Sequence, residues 1–167
     1  MAETHIRGAG PLVIRKYPDA VLRKTCSEIK DITDHEKELF DKMLFTMKRF
    51  FGIGLAAPQI GISKKLIVVE VEDRTLKLAN PKIELAEGAG RMEEGCLSVP
   101  DLTVEVERPF KVVVVGLNER GKEVRVNAEG LMARVLQHEI DHLRGKLIID
   151  HAGILKKIGY GIRHKRQ

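Results

Sequence analysis

The sequence predicts an α+β fold built mainly from antiparallel sheet, and three features of it carry that expectation. Segments of strand character fill the middle of the chain, from Lys65–Val71 through Lys111–Leu117 to Glu123–Val126, and follow one another with no helical pattern between them. The two long stretches of helical periodicity lie outside that block, one on each side. Strands and helices therefore do not alternate, which argues against the parallel βαβ architectures. At 167 residues the chain is sized for a single domain, 1–167, with a core large enough to need no staples.

The elements justify themselves in order. Met1–Gly10 carries Glu3 and no apolar core, so it reads as a short leader, neither secretory signal nor transit peptide. The expected location is the cytoplasm. Leu12–Ile14 suits an extended segment and Tyr17-Pro18-Asp19 a turn. Thr33-Asp34-His35-Glu36 fits a capping box, and it opens a helix whose stripe of Leu39, Phe40, Met43, Leu44, Met47 and Phe50 faces a core. Phe51–Gly61 follows, rich in glycine and alanine, where backbone can approach something closely; Gln59 is its only uncharged hydrogen-bonding side chain. It lacks the Gly-Lys-Ser/Thr ending of a phosphate loop, and a plain helix-to-strand connection fits it equally well.

Lys65–Val71, Thr75–Ala79 and Lys82–Leu85 read as strands, with Asn80-Pro81 breaking the last two apart. Met92–Pro100 reads as a loop or strand end, Leu102–Val106 as an alternating strand, and Lys111–Leu117 as a buried one. Glu119–Lys122 then turns into Glu123–Val126. A second helix, with Asn127 as its candidate cap and Gly145 as its stop, carries Leu131, Val135, Leu136, Ile140 and Leu143 at helical intervals. The basic tail 151–167 is partly helical in pattern, but Gly153, Gly159 and Gly161 weaken it and point to a frayed end.

That second helix bears the chemistry. His138, Glu139 and His142 form the pattern His-Glu-x-x-His, and four residues make a little over one helical turn, so both imidazoles can converge on one cation. Glu139 would then stand beside the metal as general base for a water. A surface helix that happens to carry these residues is the bland alternative. A third ligand decides what kind of site this is. The extended pattern of one metalloprotease class demands a histidine where Ile148 stands, and no glutamate follows Glu139. Asp150, His151 and His164 remain downstream, none well placed, and Cys96 lies upstream. A cysteine alone is more often a small buried hydrophobe, but beside a two-histidine site short of a ligand it becomes the leading candidate.

Composition narrows the classes. Hydrophobic residues are 43% and charged residues 32%, an ordinary globular balance, and no apolar run approaches the length of a bilayer span. Two cysteines, Cys26 and Cys96, make no disulfide framework, and Cys26 has no companions of its own, so it reads as structural. Of the net charge of +5, all is accounted for by Lys156, Lys157, Arg163, Lys165 and Arg166 in the last twelve residues. The body is neutral, which argues against DNA or a general nucleic-acid surface, while the tail alone could dock on an anionic partner such as ribosomal RNA.

Three stretches taken together go further. Gly52–Gln59 reads Gly-Ile-Gly-Leu-Ala-Ala-Pro-Gln, Glu94–Ser98 reads Glu-Gly-Cys-Leu-Ser, and Gln137–His142 reads Gln-His-Glu-Ile-Asp-His. In this order they resemble the peptide deformylases, in their compact bacterial-type form, from about Val13 to Asp150. The resemblance implies a single α+β domain with mainly antiparallel sheets packed around a central metal-binding helix. It implies a metal-dependent hydrolase that removes the N-formyl group from the initiator methionine of newly synthesised polypeptides, releasing formate. Cys96, His138 and His142 would ligate the metal, with Glu139 as acid–base catalyst and Gln59 and the Leu97 N–H facing the substrate carbonyl oxygen. Ile53 and Gly54 would offer backbone to the substrate, Gly95 would line the site, and Asp141 would support the ligand helix. The family's frequent Ser-Pro is replaced here by His151-Ala152-Gly153, which leaves the path of the tail open.

Three protein ligands leave a fourth tetrahedral position for water, as a catalytic site requires. One thiolate lowers the site's charge to about +1 with a divalent ion and suits iron(II), nickel(II), cobalt(II) or zinc(II); the resemblance implies iron(II) in the cell. The substrates expected are N-formylmethionyl peptides of nascent chains, with the methionine side chain against the Leu131–Val135 face. Arg134, near that face, is expected to be solvated. A metallopeptidase and a structural zinc module docking on RNA are the rival readings. Glu139 separates the second of these, since a structural site does not need it.

Overall fold

The computed structural model describes residues 10–164; the leader and the tail residues Lys165 and Arg166 lie outside the described residues, Gly10 apart. It contains seven strands and three α-helices: α1 (Asp34–Arg49), β1 (Gly54–Ala56), β2 (Leu66–Val71), β3 (Arg74–Glu87), β4 (Gly90–Cys96), β5 (Val99–Arg108), β6 (Lys111–Leu117), β7 (Glu123–Glu129), α2 (Gly130–His142) and α3 (Ile154–His164). Five strands form one sheet in the order β1-β2-β3-β6-β7, and β4 and β5 form a separate hairpin, every named pair antiparallel. This is the expected α+β class.

The alternation of β2 organises the core. Ile67, Val69 and Val71 face Val135, Leu136 and Ile140 of α2, while Leu66 and Val68 face Phe40, Met43 and Met47 of α1 on the opposite side. A strand covered on both faces needs apolar residues throughout, and Leu66–Val69 are all buried. Cys26 lies in the first of these clusters, buried and unbridged. A third cluster packs Val99, Leu102, Val104 and Val106 of the hairpin against Leu147, Ile148, Ile149 and Tyr160. The helix α2 thus lays its apolar face on the large sheet, while the hairpin packs against the segments that follow α2.

Several expectations change. Thr75–Ala79 and Lys82–Leu85 are one strand, because β3 carries Asn80-Pro81 as a bulge with Asn80 at φ 50°. The Asn80 side-chain amide accepts from Ile29 N–H at 2.8 Å and donates to Ile29 C=O at 2.7 Å, while its own backbone N–H donates to Lys65 C=O at 2.8 Å. Met92–Cys96 is a strand rather than a loop, paired with β5. Asn127 does not cap α2: β7 continues to Glu129 opposite Lys111, and Gly130, at φ 59°, turns the chain from strand to helix. At the far end Gly145 stops the helix at φ 72°, with the carbonyl of Arg23 only 2.4 Å from where a Cβ would stand.

The tail is also more ordered than its glycines suggest. Ile154–His164 is helical, and it is anchored by Tyr160, whose ring is fully buried and whose hydroxyl donates to Pro100 C=O at 2.8 Å. Gly153, Gly159 and Gly161 face open space. No helix among the described residues is long and apolar enough to cross a membrane.

Candidate active site

Three elements meet at the centre of the molecule. On α2 the four-residue spacing puts His138 Nε2 3.2 Å from His142 Nε2, and the end of β4 brings Cys96 Sγ to 3.4 Å from His142 Nε2. All three donor atoms lie within 4.8 Å of one another. Cys96 is delivered there by a tight hairpin: it pairs with Val99 across the two-residue turn Leu97-Ser98. From the third element, the short 3-10 turn Ala57–Ile60 after β1, Gln59 points its amide nitrogen inward, 3.5 Å from Cys96 Sγ and 3.2 Å from Ser98 Oγ. Its other end is fixed, since Gln59 Oε1 accepts from Ala56 N–H at 2.9 Å.

A cavity of about 540 Å³ opens onto this cluster. Ile53, Gly54, Gln59, Gly95, Cys96, Leu97, Leu131, Val135, His138 and Glu139 all line it, so the structure brings these sequence-derived candidates onto one wall; His142 lies just beneath, 1% exposed. His151 and His164 stay outside the cluster. Gly54 runs hard against Glu139: a Cβ there would fall 2.3 Å from Glu139 Oε1. Glu139 itself is buried, and its Oε2 has no hydrogen-bond partner. Burial raises its pKa to about 7, partly offset by the charges of His138 and Arg108.

Behind the cluster lies a buried ionic group that the sequence reading did not assemble. Glu94 accepts from Arg108 at 2.6 and 2.9 Å and from Arg134 at 2.7 Å, and its Oε2 lies 3.0 Å from His138 Nδ1. Burial alone would raise the Glu94 carboxyl, but the hydrogen bonds to His138 and Arg108 hold it well below the usual carboxylate range. Arg108 also donates to Asp141 at 2.9 Å, which links β5 to α2. Arg134 is not solvated. It is buried and donates to Glu94 and to the carbonyls of Val106 and Gly90, at 2.9 and 2.7 Å. Its charge is tolerable there because β4, unrecognised in the sequence, supplies the carboxylate and the Gly90 carbonyl, and β5 supplies the carbonyl of Val106. Glu94 stood within a quoted motif, but nothing in the sequence paired it with arginines fourteen and forty residues away.

The donor set suits a cation. Because the ionised Glu94 takes Nδ1 of His138, Nε2 is the ring atom turned toward Cys96 and His142. Burial works against charge on His138, yet its hydrogen bonds to Cys96 and Glu94 win and raise its pKa well above the ordinary value; burial and His138 keep His142 neutral. One thiol and two imidazole nitrogens, all within 4.8 Å of one another, fit a borderline-soft divalent ion.

An α+β domain of this build, with a thiol brought to the paired imidazoles of a His-Glu-x-x-His helix beside a buried carboxyl, defines a metal-dependent hydrolase. The sequence model for the polypeptide deformylases matches residues 11–157. A peptide deformylase of Thermodesulfovibrio yellowstonii is 48% identical over 151 residues, covering 87% of this chain and 92% of that protein, and one of Halothermothrix orenii is 52% identical over 141, covering 83% and 92%. Among solved structures, the peptide deformylase of Legionella pneumophila superposes with a TM-score of 0.88 at 37% identity, covering 94% of this chain and 96% of that one. That of Ehrlichia chaffeensis, in complex with actinonin, gives 0.91 at 32%, covering 95% and 98%. The chain belongs to the polypeptide deformylase family, the metal-dependent hydrolases that remove the N-formyl group from the initiator methionine of newly made polypeptides.

Proposed function

We propose that Cys96 Sγ, His138 Nε2 and His142 Nε2 hold one divalent ion, iron(II) in the cell, and that Glu139 carries the proton in deformylation. The observation that bears most weight is the unpartnered Oε2 of Glu139 in the cavity wall beside the ligand cluster. When bound, the ion supplies Lewis-acid chemistry, polarising a carbonyl oxygen and acidifying water. Glu139 takes the proton from the attacking water, and then delivers it to the departing amine, which leaves poorly unprotonated. Gln59, its carboxamide held by Ala56, directs its N–H at the formyl oxygen as charge develops there, with the Leu97 N–H as second donor. Leu131 and Val135 receive the methionine side chain, Gly95 lines the wall, and the edge of β1 at Ile53–Gly54 pairs with the substrate backbone.

The setting is the cytoplasm, where nascent chains carry formyl-methionine. Lys156, Lys157 and Arg163 on α3 support docking on ribosomal RNA near those chains.

The reading is tested with anaerobically iron-loaded protein on formyl-methionyl and acyl-methionyl peptides side by side. Release of formate alone is expected. Glu139→Ala should keep its metal and lose turnover by 10²-fold or more, on the order expected for a general base. Cys96→Ala should lose metal. Normal hydrolysis by Glu139→Ala, or full metal content in Cys96→Ala, would overturn it.

A further inference from the structure

Phe51 stands where a glycine usually does. It follows α1 in a helix-stop motif in which Gly52 N–H donates to Met47 C=O at 2.9 Å and Phe51 N–H to Lys48 C=O at 3.0 Å, the two bonds of a Schellman termination. That motif places Phe51 in the left-handed region, at φ 58°, which is costly for a bulky side chain. The fold gains nothing in return, since the residue is 94% exposed. Yet Phe51 lines the active-site cavity, at its open rim. Strain without packing, at the mouth of a reaction site, points to a role toward a ligand.

The direction in which a substrate must leave supplies the rest. Resting on the placement of the formyl group at Cys96 and Glu139 proposed above, the peptide starts beside Gly54. Beyond Gly54 in one direction lie Leu55 and Ala56, both fully buried, which close that path. In the other lie Ile53, 45% exposed, Gly52 and then Phe51. An extended chain advances about 3.3 Å per residue, so two residues past methionine it reaches the level of Phe51.

We infer that Phe51 is a specificity residue for the nascent chain, its ring receiving an apolar side chain at the second residue after the formyl-methionine. Contact of a leucine side chain with the ring favours such peptides over those with glycine by about tenfold in kcat/KM.

The test compares formyl-Met-Ala-Leu-amide with formyl-Met-Ala-Gly-amide on the iron-loaded enzyme, in the parent and in Phe51→Gly, Phe51→Leu and Phe51→Asp. The parent should prefer the leucine peptide about tenfold. Phe51→Gly and Phe51→Asp should bring that ratio close to one, and Phe51→Leu should restore most of it. Because glycine suits the left-handed position, Phe51→Gly should melt no lower than the parent, which separates loss of a ligand contact from loss of fold. No leucine preference in the parent, or a preference unchanged in Phe51→Gly, overturns the inference. Failure of the underlying site would show differently, as formate release that survives Glu139→Ala.

Discussion

Glu94 Oε2 lies 3.0 Å from His138 Nδ1, and the same carboxylate takes the hydrogen bonds of two buried arginines, so a single acid orients the ring and balances the charge behind it. Replacing it by glutamine strips the charge while keeping the shape. Arg108 and Arg134 would then be buried with too little counter-charge, and breaking such a pair costs about 3–5 kcal/mol. His138 would also lose the partner that fixes its tautomer, with an expected 10- to 100-fold loss of metal affinity. Thermal melting and chelator competition on Glu94→Gln check the two effects separately. If metal affinity is unchanged, His138 is oriented by its helix alone.

Gly54→Ala tests the closeness of β1 to the Glu139 carboxyl. The added methyl would stand 2.3 Å from Glu139 Oε1 and 2.8 Å from Val135 Cγ1, so Glu139 must swing or β1 must retreat. A shift of about 1 Å in a reacting group costs on the order of 10²-fold in rate. The fold should survive, because β1 is an edge strand and three residues long. Steady-state kinetics should show kcat falling with metal content intact; wild-type kcat would mean that Glu139 has room the structure does not suggest.

Tyr160 holds α3 to the domain. Its buried ring tilts against Tyr17 at 5.8 Å and stacks on His164 at 3.9 Å between centroids. Tyr160→Ala should cost about 3–5 kcal/mol, by analogy with other large aromatic deletions, and lower Tm by roughly 10 °C. Tyr160→Phe removes only the bond to Pro100 and should cost about 1 kcal/mol. Differential scanning calorimetry distinguishes them, and an unchanged Tm in Tyr160→Ala would show α3 merely resting on the surface.

These residues show where sequence reading reaches and where it stops. The α1 stripe and its box were legible because both are local: Glu36 accepts from Thr33 N–H at 2.9 Å, three residues away. His138 and His142 were legible for the same reason, one turn apart on one helix. Cys96 was raised as the answer to a missing ligand, not by its own surroundings. What escaped depended on distant partners. β4 is largely exposed, so Met92–Cys96 shows no apolar alternation and becomes a strand only through β5. Arg134 looks solvated until Glu94, on that unseen strand, is placed beside it. Asn80-Pro81 looks like a break until Ile29 is brought across to meet the Asn80 amide.

The last prediction concerns acid. Asp150 receives both ends of the Arg23 guanidinium, at 2.6 and 3.0 Å, and accepts from Leu147 N–H at 2.9 Å, tying the segment after α2 back to the start of the chain. Burial pushes its carboxyl up, but the Arg23 hydrogen bonds and the Leu147 N–H outweigh it and bring the pKa below the ordinary 3.8. A carboxyl with a lowered folded pKa binds fewer protons folded than unfolded, so its contribution is complete above about pH 3.8 and is lost as pH falls through the lower folded value. Both side chains are partly exposed, at 41% for Arg23 and 32% for Asp150, so solvent screening limits the pair to about 1 kcal/mol. Asp150→Asn should therefore melt a few degrees below the parent at neutral pH, and the gap should close as the pH is lowered below that of the free carboxyl. A gap that stays constant across that range would assign the loss to packing of Ile148 and Ile149 rather than to the ion pair.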